Sequence, residues 1–353
     1  MDKWLRLLVV LASALGIFAV LACVIHLLGM IPHTLVLFSL GMYVVLDGYD
    51  LGVGMLMPAA TEKEQSRMVA SIGPFWDANE TWLVLGIGIL LSAFPVAHGI
   101  VLTALYLPVV AMLVSLMLRG VAFELRVKAL GWHRELWNWI FWAGSFGASF
   151  WQGVMLGRYI TGFEPGFGYL LFAFVVGASL CGGYVLLGAT WLILKTEGPL
   201  QAKAIAWTRW GMIWVALGVV LVSLGTPLVS ATVREKWFDF PRTLGVMVLP
   251  AATFAAGMWL WFSTSRLARG QKWREWQPFA AAVAIFVLAF AGLAYSLFPF
   301  VVIDRLTLWQ AAAHPTGLRV LFIGAAVVLP FIVFYTGVSY RVFRGKAREG
   351  LYD

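Results

Sequence analysis

Charge and cysteine are the scarce things in this 353-residue chain. Only 12% of its residues are Asp, Glu, Lys or Arg, about half the roughly 25% usual in globular proteins. So few charges exclude a water-soluble globular surface, and a chain this apolar is not disordered either. The two cysteines, Cys23 and Cys181, lie in apolar runs. They exclude a disulfide framework and a cysteine metal cluster, and read as packing residues. A Gly-rich phosphate loop, a zinc-ligand spacing and a nucleophile elbow are also missing. What is there is apolar: 61% hydrophobic residues and a mean hydropathy of +0.88. At ~20 residues per spanning helix plus short loops, the length admits about nine to eleven spans. The chain therefore reads as an all-α, polytopic membrane helical bundle.

Apolar runs divided by polar breaks place about ten spans at 5–28, 35–57, 74–93, 96–118, 138–157, 168–194, 210–228, 244–262, 279–298 and 318–340. The net charge of +8 would suit a nucleic-acid partner in a soluble protein; here the basic residues sort by loop instead. Nineteen of the 25 Lys and Arg, from Lys3 and Arg6 through Arg119, Arg126, Lys128 and Arg134 to Arg348, fall in alternate loops on one side. The positive-inside rule makes that side, and both termini, cytoplasmic. Trp132, Trp137, Trp139, Trp207, Trp210, Trp273 and Trp276 cluster at span ends as an interfacial belt. Gly48/Gly52, Gly153/Gly157 and Gly183 with Gly188 are spaced for close helix approach. Lys3, Arg6 and the following apolar run resemble a signal peptide, and Val20–Cys23 loosely resembles a lipoprotein cleavage site. The run continues through Leu28, so a retained helix is the preferred reading.

Ionisable residues inside spans are costly and default to function. Here they concentrate in Asp47-Gly-Tyr49-Asp50 and in Asp77-Ala-Asn79-Glu80. Each acidic pair is spaced i,i+3 and so shares a helix face. The orientation places all four carboxyls toward the cytoplasmic side of two consecutive helices, Asp47 and Asp77 deepest. Arg119, Glu124 and Arg126 sit at the inner end of the fourth span. Linked through Asn79, Tyr49, Thr81 and water, such groups would pass protons. The alternative is a static network of salt bridges and caps, with Asp77 or Asn79 capping its helix. The histidines (His26, His33, His98, His133 and His314) lie near span ends and are not paired on one face, unlike the inward-facing ligands of a membrane haem. The twelve methionines are dispersed and read as packing. No metal site is expected.

These motifs resemble subunit II of cytochrome bd-type quinol oxidases, including the family's cyanide-insensitive branch. The resemblance covers about 30–345. It rests on Asp47–Gly54, on Ser71–Leu83 with Gly-Pro-Phe-Trp-Asp-Ala-Asn-Glu at its centre, on Leu118–Arg126, and on Gly188-Ala-Thr, Lys195-Thr-Glu-Gly, Leu297-Phe-Pro-Phe and Tyr335-Thr in order. It implies an electrogenic terminal oxidase of the respiratory chain in the bacterial inner membrane. A haem-bearing subunit I would hold haems b and d, oxidise quinol and reduce dioxygen to water. This chain would be its haem-free partner in a heterodimer, with no catalytic residue of its own, supporting subunit I and contributing a cytoplasmic proton path. Some members also hold a quinone. On that reading Asp77 leads the path, Asp47, Asp50 and Glu80 lie nearer its entrance, and Asn79, Tyr49, Arg119, Glu124 and Arg126 support it.

Two departures stand out. Phe75 occupies a position where some members carry His, which removes a His-assisted relay there. Residues 1–29 have no counterpart in nine-helix members. They form an extra helix, either replacing a small single-helix accessory subunit or acting as a peripheral anchor; 30–345 form the family domain and 346–353 a cytoplasmic tail. The rival class is a proton-coupled secondary transporter, for which the Gly48–Gly54 stretch would be a broken helix. A pure scaffold is the third reading.

Overall fold

The structure, a computed structural model, describes residues 31–240 and 242–347. Helix α1 (Ile31–Leu56) gives way to a 3-10 turn (Met57–Ala59) at Pro58. Thr61 and Glu64 then form a capping box that opens α2 (Glu62–Ile72). The segment expected as a loop is thus a helix, whose apolar side buries Met68, Val69 and Ile72. There follow α3 (Trp76–Ala93), α4 (Pro95–Ala104), α5 (Tyr106–Lys128), α6 (Trp132–Ile160) and α7 (Phe167–Lys195). Next come α8 (Pro199–Val229), α9 (Ala231–Phe238), α10 (Arg242–Ala268) and α11 (Trp276–Leu297). A two-stranded antiparallel hairpin, β1 (Phe300–Val302) and β2 (Leu306–Thr307), leads through α12 (Leu308–Ala311) to α13 (Pro315–Val342).

The architecture is an all-α, multi-pass membrane bundle. Among the described residues seven helices are long and apolar enough to cross a membrane. Helices α3 and α6 fall outside that set because one carries Asp77, Asn79 and Glu80 and the other is rich in Trp and polar residues. Nine expected spans coincide with helices; the tenth, 5–28, lies outside the described residues. The span expected at 96–118 differs most. It divides at Leu105 into α4 and α5, and α5 runs on to Lys128. That extension makes Arg119, Ala122, Phe123 and Arg126 one buried face at i, i+3, i+4 and i+7.

Helix α1 is the centre of the bundle. Of its most apolar stretch 72% is buried, against 6% for α13, which faces outward. It packs on α3, α6 and α7. In lipid, helices associate through close packing, not hydrophobic burial, so small residues decide the contacts. A Cβ on Gly52 would lie 1.8 Å from the Tyr184 carbonyl oxygen, and one on Gly188 2.4 Å from the Gly52 carbonyl carbon. Gly153 and Gly157 meet Gly177 and Ala173 of α7 in the same way. The Gly48–Gly54 stretch is therefore a helix crossing, continuous within α1, and not the interrupted helix a transporter site would need. The segment just after α13 is also tied down. Lys195 Nζ donates to the Phe343 carbonyl (2.6 Å), and Lys346 Nζ donates to the Thr196 carbonyl and to Glu275 (both 2.8 Å).

Candidate functional site

The central helix carries the charges into the core. Asp47 and Asp50 are fully buried, and α5 brings the equally buried Arg119 to them across the bundle. Its Nη1 donates to Asp47 Oδ1 (2.9 Å) and to Glu80 Oε1 on α3 (2.7 Å). The Glu80 side chain is 28% exposed. Gly144 on α6 makes room for Arg119, since a Cβ there would lie 2.8 Å from the Arg119 backbone nitrogen.

Asn79, one residue before Glu80, turns the other way. Its Nδ2 donates to Asp50 Oδ2 (2.7 Å), to the Tyr49 hydroxyl (3.0 Å) and to the Leu46 carbonyl (3.2 Å). The Tyr49 hydroxyl meets that of Tyr340 on α13 at 2.6 Å. Tyr49 stacks on Trp191, and Tyr340 on Phe75 with ring centroids 4.4 Å apart. The position where some family members carry His is thus part of an aromatic wall. Lys195 lies 5.2 Å from the Phe75 ring and 5.0 Å from that of Trp191.

Four expectations are corrected. Asp77, expected with Asp47 among the deepest, is exposed in the first turn of α3, whereas Asp50, expected nearer the boundary, is as fully buried as Asp47, and Glu80 lies between. Neither Asp77 nor Asn79 caps α3, which has no side-chain cap; Asn79 is committed to Asp50. Glu124 is exposed, because it falls opposite the buried face that Arg119 and Arg126 share. Thr81 is also exposed, its hydroxyl donating to the Ala78 carbonyl. Arg126 is buried in a second polar group, donating to Asn138 Oδ1 (2.5 Å) and Ser66 Oγ (3.4 Å), while Asn138 donates to Gln65 (2.7 Å). A polar cleft of about 440 Å3 opens beside it, lined by Gln65, Arg134 and Asn138 among others.

The sequence reading missed Tyr43, Gln152, Tyr184 and Tyr340. Tyr43 carried a signal: it lies four residues before Asp47, on the same helix face. The other three come from distant helices, and nothing local marks them.

The arrangement joins three carboxyls, Asp47, Asp50 and Glu80, to one guanidinium, and these groups feel one another electrostatically. In a low-dielectric core an uncompensated charge is costlier than a bound proton. The cluster can therefore hold and exchange a proton. Asp47 Oδ2, Asp50 Oδ1, and Arg119 Nε and Nη2 are buried without a hydrogen-bond partner among the described residues. Among the described residues the histidines are dispersed: His33 lies in the first turn of α1, His98 in α4, His133 in the first turn of α6 and exposed, and His314 caps α13, while His26 lies outside those residues. Among the described residues, no three His, Cys, Asp or Glu group to hold a metal.

Fold and site together define a polytopic membrane protein with a cluster of three carboxyls and one buried guanidinium in its core, and no metal grouping among the described residues. Residues 28–343 match the family model of cytochrome bd terminal oxidase subunit II, and the chain belongs to that family. It is 31% identical to cytochrome bd ubiquinol oxidase subunit 2 of Bacillus subtilis, over 85% of this chain and 91% of the relative. It is 28% identical to cytochrome bd-I ubiquinol oxidase subunit 2 of Escherichia coli K12, over 86% and 91%. The fold matches a chain of the bd oxidase from Geobacillus thermodenitrificans with a TM-score of 0.74 at 15% identity, over 89% of this chain and 97% of that one. The chain is a subunit of a terminal quinol oxidase, an oxidoreductase complex.

Proposed function

We propose that this chain is the haem-free partner of a subunit I carrying haems b and d, and that it conducts protons from the cytoplasm toward the site of dioxygen reduction. The observation that carries the reading is the pairing of fully buried Asp47 with Arg119, itself shared with the half-open Glu80. Protons would arrive at exposed Asp77, pass to Glu80, and enter at Asp47 and Asp50. The unpartnered carboxylate oxygens are where water in transit would be held. Quinol supplies the electrons in the partner. Protons consumed from inside and released from quinol outside would generate a proton-motive force without pumping.

The bacterial inner membrane is the proposed location, with both termini cytoplasmic; the nineteen basic residues on one side support this orientation. The test is to purify the tagged chain in mild detergent and record a reduced-minus-oxidised spectrum beside a gel. Haem bands with a larger co-purifying membrane subunit are expected. A stable, colourless and solitary chain would contradict the reading.

A further inference from the structure

Beside the cluster, three buried polar side chains from three helices form an ordered line. The Tyr184 hydroxyl (α7) donates to Gln152 Oε1 (α6) at 2.8 Å, and Gln152 Nε2 donates to the Tyr43 hydroxyl oxygen (α1) at 2.6 Å. Tyr184 is fully buried, Tyr43 is 3% exposed and Gln152 9%. Polar groups so placed are retained only when satisfied, yet the bulk of the bundle around them is apolar. Gly48 admits the Tyr184 ring, since a Cβ there would lie 2.6 Å from Tyr184 Cε1.

The direction of the line follows from the donors. A phenol has one hydrogen. Tyr184 spends its hydrogen on the amide oxygen, which leaves the amide nitrogen facing Tyr43. Because Tyr43 accepts from that nitrogen, its own hydrogen is free to point elsewhere. Asp47 lies one turn further along α1, and the Tyr43 hydroxyl interacts with its carboxyl. Arg119 takes Asp47 Oδ1, while Oδ2 is buried without a hydrogen-bond partner among the described residues. Asp47 Oδ2 is thus the buried acceptor open to the Tyr43 hydrogen, one helical turn away.

We infer that Tyr43 is a positioning residue for the proton path, its hydroxyl aimed at the Asp47 carboxyl by an oriented Tyr184–Gln152–Tyr43 hydrogen-bond chain. The inference rests on the proposed role of Asp47 and adds what sets that group's orientation and readiness to ionise. The other titratable groups around Asp47 are Arg119 on α5, Glu80 on α3, Asp50 on its own helix and Tyr184 on α7, with Cys181 behind Tyr184 and Tyr340 of α13 beyond Asp50.

The experiment uses the assembled oxidase complex and measures oxygen consumption against pH for Tyr43→Phe, Gln152→Met and Asp47→Asn at equal haem content. Tyr43→Phe removes one oxygen atom and keeps the ring. It is expected to move the acid limb of the profile to higher pH by about one unit, the tenfold effect of losing a hydrogen bond to a charged group. Gln152→Met keeps the Tyr43 hydroxyl but releases its direction, and is expected to shift the limb the same way by less. Unmoved profiles for both, with Asp47→Asn slow, would overturn this inference and leave the path reading standing. A fully active Asp47→Asn complex would overturn the path reading, and this inference with it. Should Tyr43→Phe fail to assemble, a Gln152→Met complex with the parental profile overturns the inference.

Discussion

Replacing Arg119 by Met tests the energetic centre of the bundle. The guanidinium is fully buried, 2.9 Å from Asp47 and 2.7 Å from Glu80. Met keeps much of the side-chain volume and removes the charge, stranding one carboxylate in the core and one at its edge. Removing one partner of a buried ion pair costs roughly 3–5 kcal/mol. Because Glu80 is 28% exposed and can turn to water, the lower end is expected, about 3 kcal/mol. That is on the order of a hundredfold in the folded-to-unfolded ratio. The assay is thermal unfolding of the purified complex in mild detergent, followed by tryptophan fluorescence. Asp47→Asn placed in the Arg119→Met background neutralises the stranded carboxylate and should restore about 1–2 kcal/mol, a coupling typical of contacting residues. If Arg119→Met unfolds with the parental midpoint, or the two changes are simply additive, Arg119 does not balance Asp47 and the charge argument fails.

Three further outcomes follow from the same geometry. Asn79→Leu strips Asp50 of its amide donor, 2.7 Å away, and should cost about 2–3 kcal/mol, read as a lowered unfolding midpoint; an unchanged midpoint would show that Asp50 does not depend on it. Gly52→Ala places a methyl 1.8 Å from a backbone oxygen of α7, so the complex should fail to accumulate in membranes, whereas Gly88→Ala, with nothing within 4 Å, should be neutral; equal yields would refute the crossing. Burial works to raise the Glu64 carboxyl, but Lys203 Nζ at 2.7 Å and the Thr61 amide and hydroxyl hold it below the usual range. A group depressed on folding stabilises above its unfolded value of about 4.3 and loses that contribution as pH falls through its folded value. Glu64→Gln should therefore be less stable than the parent at pH 7 and lose that disadvantage as pH falls through the folded value of Glu64, and parallel stability curves on acidification would contradict the pairing.

Much of this architecture is legible along the chain because membrane helices are set by local apolarity. The nine runs from 35–57 to 318–340 needed no tertiary information, and glycine spacing at Gly48/Gly52 and Gly153/Gly157 marked true crossings. Helix α2 escaped because its apolar residues cover only one side of a short polar segment, which window-scale hydropathy averages away. The acidic motifs pointed to Asp47, Asp50, Glu80 and Arg119, and the structure brings those four together. Depth was misjudged at Asp77 because position along a helix does not say which way a side chain faces. Asp77 lies near Glu80 in sequence yet is exposed, and Glu124 shares a helix with Arg119 yet points away. Tyr340, Gln152 and Tyr184 were invisible for a different reason: each is an ordinary residue of its own helix, and only the packing of α6, α7 and α13 against α1 gives it a polar partner.

The most direct test of the central claim is proton uptake during dioxygen reduction by the complex in sealed vesicles, followed with a pH-sensitive dye and compared between the parent and Asp47→Asn at equal haem content. The account predicts that Asp47→Asn takes up protons at least tenfold more slowly, while electron entry from quinol into the haems keeps its rate. Uptake at the parental rate in that variant would contradict the account and leave the buried cluster as architecture alone.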